Sequence, residues 1–164
     1  MGGVETIQTA LRSTERLLLW HLSDLDDQDL LVRPVPKANH LAWQLGHLIT
    51  TEKFHIHQQL PEFKLPELPM EFASIHGSES AQRSDSGGFS SLAEYQRLFA
   101  DMRAATIEAV SRLSDADLDR PAVGAVAGFA PTLGEVMLLV SNHTLLHCGQ
   151  VTVIRRLLGK PVLF

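Results

Sequence analysis

TLGEVMLLVSNHTLLHCGQVTVIRRLL, residues 132–158, is the stretch that decides the fold. Apolar side chains from Val136 to Ile154 cover most sides of it, and no proline interrupts it. Thr132 and Glu135 make a capping-box pattern behind Pro131, while Gly159 and Pro161 supply a stop. A helix that is apolar nearly all round belongs at the centre of a bundle. Set into it are His143 and His147, four residues apart and therefore on one face.

Three further segments have helical periodicity. Residues 4–22 place Val4, Ile7, Leu11, Leu18 and Leu22 on one stripe. Residues 39–60, NHLAWQLGHLITTEKFHIHQQL, are opened by Asn39 as the expected N-cap and stopped by Pro61. Residues 91–113 begin with Ser91 and Glu94, a second capping-box pattern. Residues 61–90 are rich in Pro, Gly and Ser and read as a long crossover with a short helix near 70–76. Residues 114–131 read as a second loop, and no strand pair is evident. The expected architecture is all-α: a four-helix bundle with a long crossover between its second and third helices, which need not be antiparallel neighbours. Two acidic stretches, LSDLDDQDLLVRP (22–34) and LSDADLDRP (113–121), echo each other after the first and third helices.

Bulk properties narrow the function. A chain of 164 residues fits one domain spanning 1–164. Its net charge of −5, with no clustered basic face, argues against nucleic-acid binding. No apolar run reaches the length of a membrane-spanning helix, and the N-terminus lacks the pattern of an export signal. Cys148 is the sole cysteine, so there is no disulfide framework, which fits a reducing cytoplasm.

Two polar rings in an apolar helix must find partners, because an unsatisfied buried polar group costs about 1–3 kcal/mol. A metal ion satisfies both at once, and so can ordinary core or interface contacts; the spacing alone leaves both open. The best third ligand is His47, in the middle of WQLGHL, with Gly46 beside it permitting close approach. Surface or capping duty is expected of His21, His40, His55, His57 and His76. Helical spacing sets Gln44 and Thr51 on the His47 face and Gln150 on the His143/His147 face, as supporting partners of the rings. Trp43 reads as core, Cys148 as a small packed residue and Glu135 as a cap. Glu52 points about 140° away from His47 round the helix and reads as a poor general base.

NHLAWQLGHL (39–48) and NHTLLHCGQVTVIRRLLGKP (142–161) resemble the DinB-like (YfiT-like) superfamily of small bacterial helical bundles. The first matches that family's Trp-x-x-x-His-Leu helix, and the second its His-x-x-x-His-x-Gly-Gln followed by Arg and Leu-Gly-x-Pro. The resemblance implies a metal site made of His47, His143 and His147, holding a divalent ion (Zn, Ni, Fe or Mn). Three nitrogen ligands leave a position open for water or substrate. The activities implied are metal-dependent hydrolysis or transfer of a low-molecular-weight thiol to a small-molecule electrophile. The alternative is a non-catalytic, metal-binding homodimeric bundle with a stress or partner-binding role. Cys148 and Thr144 depart from the Arg and Glu often found at those positions.

Overall fold

The computed structural model describes residues 1–83, 85 and 87–163. Its helices are α1 (Gly3–Leu22), α2 (Leu41–Gln59), α3 (Phe72–Ile75), α4 (Leu92–Ser111) and α5 (Leu133–Leu157). Four of them are long, and α3 is a single turn inside the crossover between α2 and α4. Among the described residues the only β-type pairing is an isolated bridge between Pro121 and Thr132.

The helix starts follow local chemistry. Thr132 accepts from the Glu135 N–H and Ser91 from the Glu94 N–H, each at 3.3 Å. At α4 the other half of the capping box is replaced, because the Glu94 carboxylate turns to Arg97. The start of α2 differs from expectation. His40, not Asn39, is the cap, with its Nδ1 accepting from the Trp43 N–H at 3.2 Å. An imidazole acceptor satisfies the same orphan N–H that Asn would. Asn39 instead offers its carbonyl to Gln44 Nε2 at 2.7 Å. The two echoing acidic stretches each form a 3-10 turn, Asp27–Asp29 and Asp115–Asp119, closed by a complete capping box.

Both α1 and α2 pack against α4 and α5, so the order round the bundle is α1, α4, α2, α5. The crossover is long, yet it returns the chain to a direct neighbour, since α2 and α4 pack together. The core lies in two apolar clusters. One gathers Leu18, Leu45, Ile49, Phe99, Cys148 and Val151. The other gathers Leu11, Ile56, Met102, Ala109, Val136 and Val140.

Between the clusters every long helix contributes a polar residue. Arg103 of α4 is fully buried and donates from all of its N–H groups. Nε and Nη2 reach the Glu52 carboxylate of α2 at 2.9 Å. Nη1 reaches the Leu11 carbonyl and the Thr14 hydroxyl of α1, and Nη2 the Thr144 hydroxyl of α5, each at 2.9 Å. One guanidinium thus ties all four long helices at one level, with no donor left unpaired.

The crossover is anchored by His76, whose burial overturns the expectation of surface duty. Its Nδ1 donates to the Phe72 carbonyl and its Nε2 accepts from the Tyr95 hydroxyl, both at 2.7 Å. The ring lies flat over Gly46, where an added Cβ would stand 2.0 Å from Cδ2. Gly46→Ala must therefore evict His76 from both hydrogen bonds. We expect a loss of about 1–3 kcal/mol, the usual cost of forced overpacking, read from urea unfolding. A variant as stable as wild type would show that the crossover does not depend on this contact.

Candidate metal centre

His47, His143 and His147 come together between α2 and α5, with one ligand atom from each lying within 4.8 Å of the other two. The i, i+4 spacing on α5 brings the Nε2 atoms of His143 and His147 to 3.2 Å. Two nitrogens bound tetrahedrally at 2.0–2.1 Å from one ion stand about 3.4 Å apart. The pair therefore already has the separation a shared ion requires. The ring centroid of His47 lies 5.1 Å from that of His143 and 5.6 Å from that of His147.

Neighbours set each ring. Gln44 Oε1 lies 3.1 Å from His147 Nδ1, and Gln44 Nε2 is itself tied to Asn39 O. This relay makes Nδ1 the protonated nitrogen and leaves the Nε2 lone pair for the ion. Thr51 Oγ1 stands 3.4 Å from His47 Nδ1 and does the same more weakly. Trp43 is buried, as the sequence implied, but it also stacks on His47 with centroids 4.6 Å apart and planes 12° from parallel. Its Nε1–H donates to the Gly77 carbonyl at 2.9 Å, so the crossover holds the plate that covers this ring. Gln150 does not join them: one turn beyond His147 it is exposed, and among the described residues no hydrogen bond links it to the rings. Cys148 is packed in the core, and burial pushes its thiol up to about 11, away from nucleophilic use.

Burial keeps the rings neutral. It lowers His47, lowers His143 to about 4 and His147 to about 3, with neighbouring histidines adding smaller effects to the last two. Neutral imidazole is the form that ligates a metal. His76 is likewise held at about 4 by burial. Unfolded histidines titrate near 6.5. Between that value and 3–4 the unfolded chain binds more protons than the folded one, so stability falls as pH drops through this window. Metal-free protein should be fully stable above about pH 6.5 and weaken progressively toward pH 4. A urea midpoint unchanged between pH 7 and pH 4.5 would contradict this.

A cavity of about 210 Å³ opens beside the centre, lined by His47, His143, Thr51, Glu52 and His55, with Leu48, Leu139 and Val140 as apolar wall. One sequence expectation is corrected here, and a second is kept on other grounds. His55 lines the cavity rather than the open surface. Glu52 lines it too, although its carboxylate is committed to Arg103. A base that is fully engaged by a guanidinium is poorly placed to take a proton, so the expectation that Glu52 is no general base stands on a different physical reason.

Removing the relay should loosen the site without unfolding it. Gln44→Leu is expected to weaken metal binding by about 10–100-fold, the usual effect of losing a partner that orients a ligand. Competition against a chromophoric chelator measures it, and unchanged affinity would exclude the relay.

With this geometry in place, comparison with known proteins gives the class. The chain belongs to the DinB superfamily, whose family model matches residues 10–151. Its fold is similar to that of a conserved protein from Enterococcus faecalis solved by crystallography. The two share 15% identity and a TM-score of 0.71, over 98% of this chain and 99% of that one. No curated protein matches the chain.

Proposed function

We propose that this protein is a metal-dependent enzyme acting on a small molecule, either hydrolysing it or joining a low-molecular-weight thiol to it. The observation that carries the reading is three neutral imidazoles converging beside a cavity. A divalent ion would be held by His47, His143 and His147; of Zn, Ni, Fe and Mn, the first three suit imidazole best. When bound, it supplies Lewis acidity to a group lodged in the cavity. The protein's own part is to orient and shield. Gln44 and Thr51 aim the rings, Trp43 covers one side of His47, and Leu48, Leu139 and Val140 keep water from the cavity wall.

The test is elemental analysis of untagged protein followed by turnover assays. Metal-loaded protein is given hydrolysable esters and amides, then thiols paired with electrophiles. Turnover that needs metal and vanishes in His143→Ala supports the reading. A loaded protein inert toward both sets favours the second reading, a non-catalytic homodimeric bundle. A stripe of exposed apolar residues on α5, Leu138, Leu145, Leu146, Val153 and Leu157, favours that pairing. Sedimentation equilibrium of wild type beside Leu146→Glu reports it. No described helix is long and apolar enough to cross a membrane.

A further inference from the structure

The cavity beside the metal centre has a second end, and its chemistry narrows what the site takes. His55 lies eight residues after His47 on α2, a rise of about 12 Å, and both rings line the same cavity. Of the polar groups between them, Glu52 and Thr144 are held by Arg103, and Thr51 stands against His47. His55 differs: no hydrogen bond holds its ring among the described residues, and because Nδ1 is shut off from the surroundings, Nε2 is the nitrogen left open to a ligand. A ring nitrogen with no protein partner keeps its full capacity to donate or accept for whatever enters the cavity. Burial also lowers its basicity, leaving a neutral ring that can donate or accept.

Charge and size add two constraints. No Lys or Arg lines the cavity among the described residues, and Arg103 behind Glu52 has no donor to spare. A carboxylate or phosphate on the body of a ligand would thus find no cation there. The volume of about 210 Å³ is below the 300–1,000 Å³ of pockets for drug-sized molecules. Leu48, Leu139 and Val140 favour an apolar stretch in the middle.

We propose that His55 is the second anchor of the site, hydrogen-bonding the uncharged polar end of a compact, apolar-bodied ligand whose other end meets the metal. This rests on the metal-centre reading above and deepens it, because it names the ligand class. His55 touches the ligand and not the three metal-holding rings.

The test uses cobalt(II)-loaded full-length protein and three thiols of one length: 6-mercapto-1-hexanol, hexanethiol and 6-mercaptohexanoate. Binding is followed by the visible spectrum of cobalt and by titration calorimetry, without any turnover. The hydroxyl thiol should bind more tightly than the carboxylate thiol. In His55→Phe the affinity ratio of hydroxyl thiol to hexanethiol should fall about 2–10-fold, the value of one neutral hydrogen bond, and His55→Gln should restore part of it. Cobalt uptake by each variant shows that it is folded. A ratio unchanged in His55→Phe overturns the anchor, and a carboxylate thiol that binds as tightly as the hydroxyl thiol overturns the ligand class. Failure of wild type to take up cobalt sinks the metal reading itself, and this proposal with it.

Discussion

Arg103→Met is expected to cost about 3–5 kcal/mol of unfolding free energy, the penalty of stranding a buried charge. Arg103 is 0% exposed and Glu52 only 3%, so the orphaned carboxylate has little water to turn to. The substitution also releases Leu11 O, Thr14 and Thr144 at once. The two hydroxyls are the lesser loss, because Thr14 can still donate to Ala10 O and Thr144 to Val140 O. The double variant Arg103→Met with Glu52→Leu removes both charges and should recover most of the stability. Urea unfolding of the metal-free proteins gives the full cycle. A loss under about 1 kcal/mol in the single variant would place the pair among weak surface bridges and discard its role as the tie between helices.

The second large effect is on metal. His147→Ala should abolish the stoichiometric metal expected of wild type, about one ion per chain for a three-ligand centre. His147 is the most buried of the three rings, and its Nε2 stands against that of His143. Its loss leaves two rings on different helices with nothing to bridge them. At a free metal concentration of 100 times Kd, binding stabilises the folded state by about 2.7 kcal/mol. For a domain of this size that corresponds to roughly 5–11 °C in Tm. Wild type should show that rise and the variant should not. Equal metal content in the two proteins would falsify the assignment of His147.

The uses of histidine divide by how far their causes lie along the chain. The i, i+4 pair of α5 and the caps at Thr132 and Ser91 are set within one or two turns, so they are legible in residue order. The position of His47 is legible as well, because a histidine flanked by Leu45, Leu48 and Ile49 needs a reason. His76 gave no such signal. It sits in a Gly- and Ser-rich loop without periodicity, and its burial comes from Gly46 and Tyr95, 30 residues before it and 19 after. The sole hint was Gly46 itself, which reads as room for a neighbour without saying which. The places of His55 and Glu52 at the cavity wall are hidden in the sequence for a related reason. Helical angle tells which way a residue leaves its own helix, but not where a partner helix leaves a gap.

The sequence by itself determined four long amphipathic or apolar helices, the caps at Thr132 and Ser91, the long crossover and the two facing imidazoles of α5. These follow from periodicity, capping and spacing, all interactions that close within a few residues. Only the tertiary structure decided that α2 meets α5 at His47, that Arg103 finds Glu52 across a divided core, and that one cavity is lined by His47, His143 and His55. The physical reason is that burial and charge pairing are properties of space shared between helices. A linear pattern records which groups are available, and packing settles which of them are left facing one another.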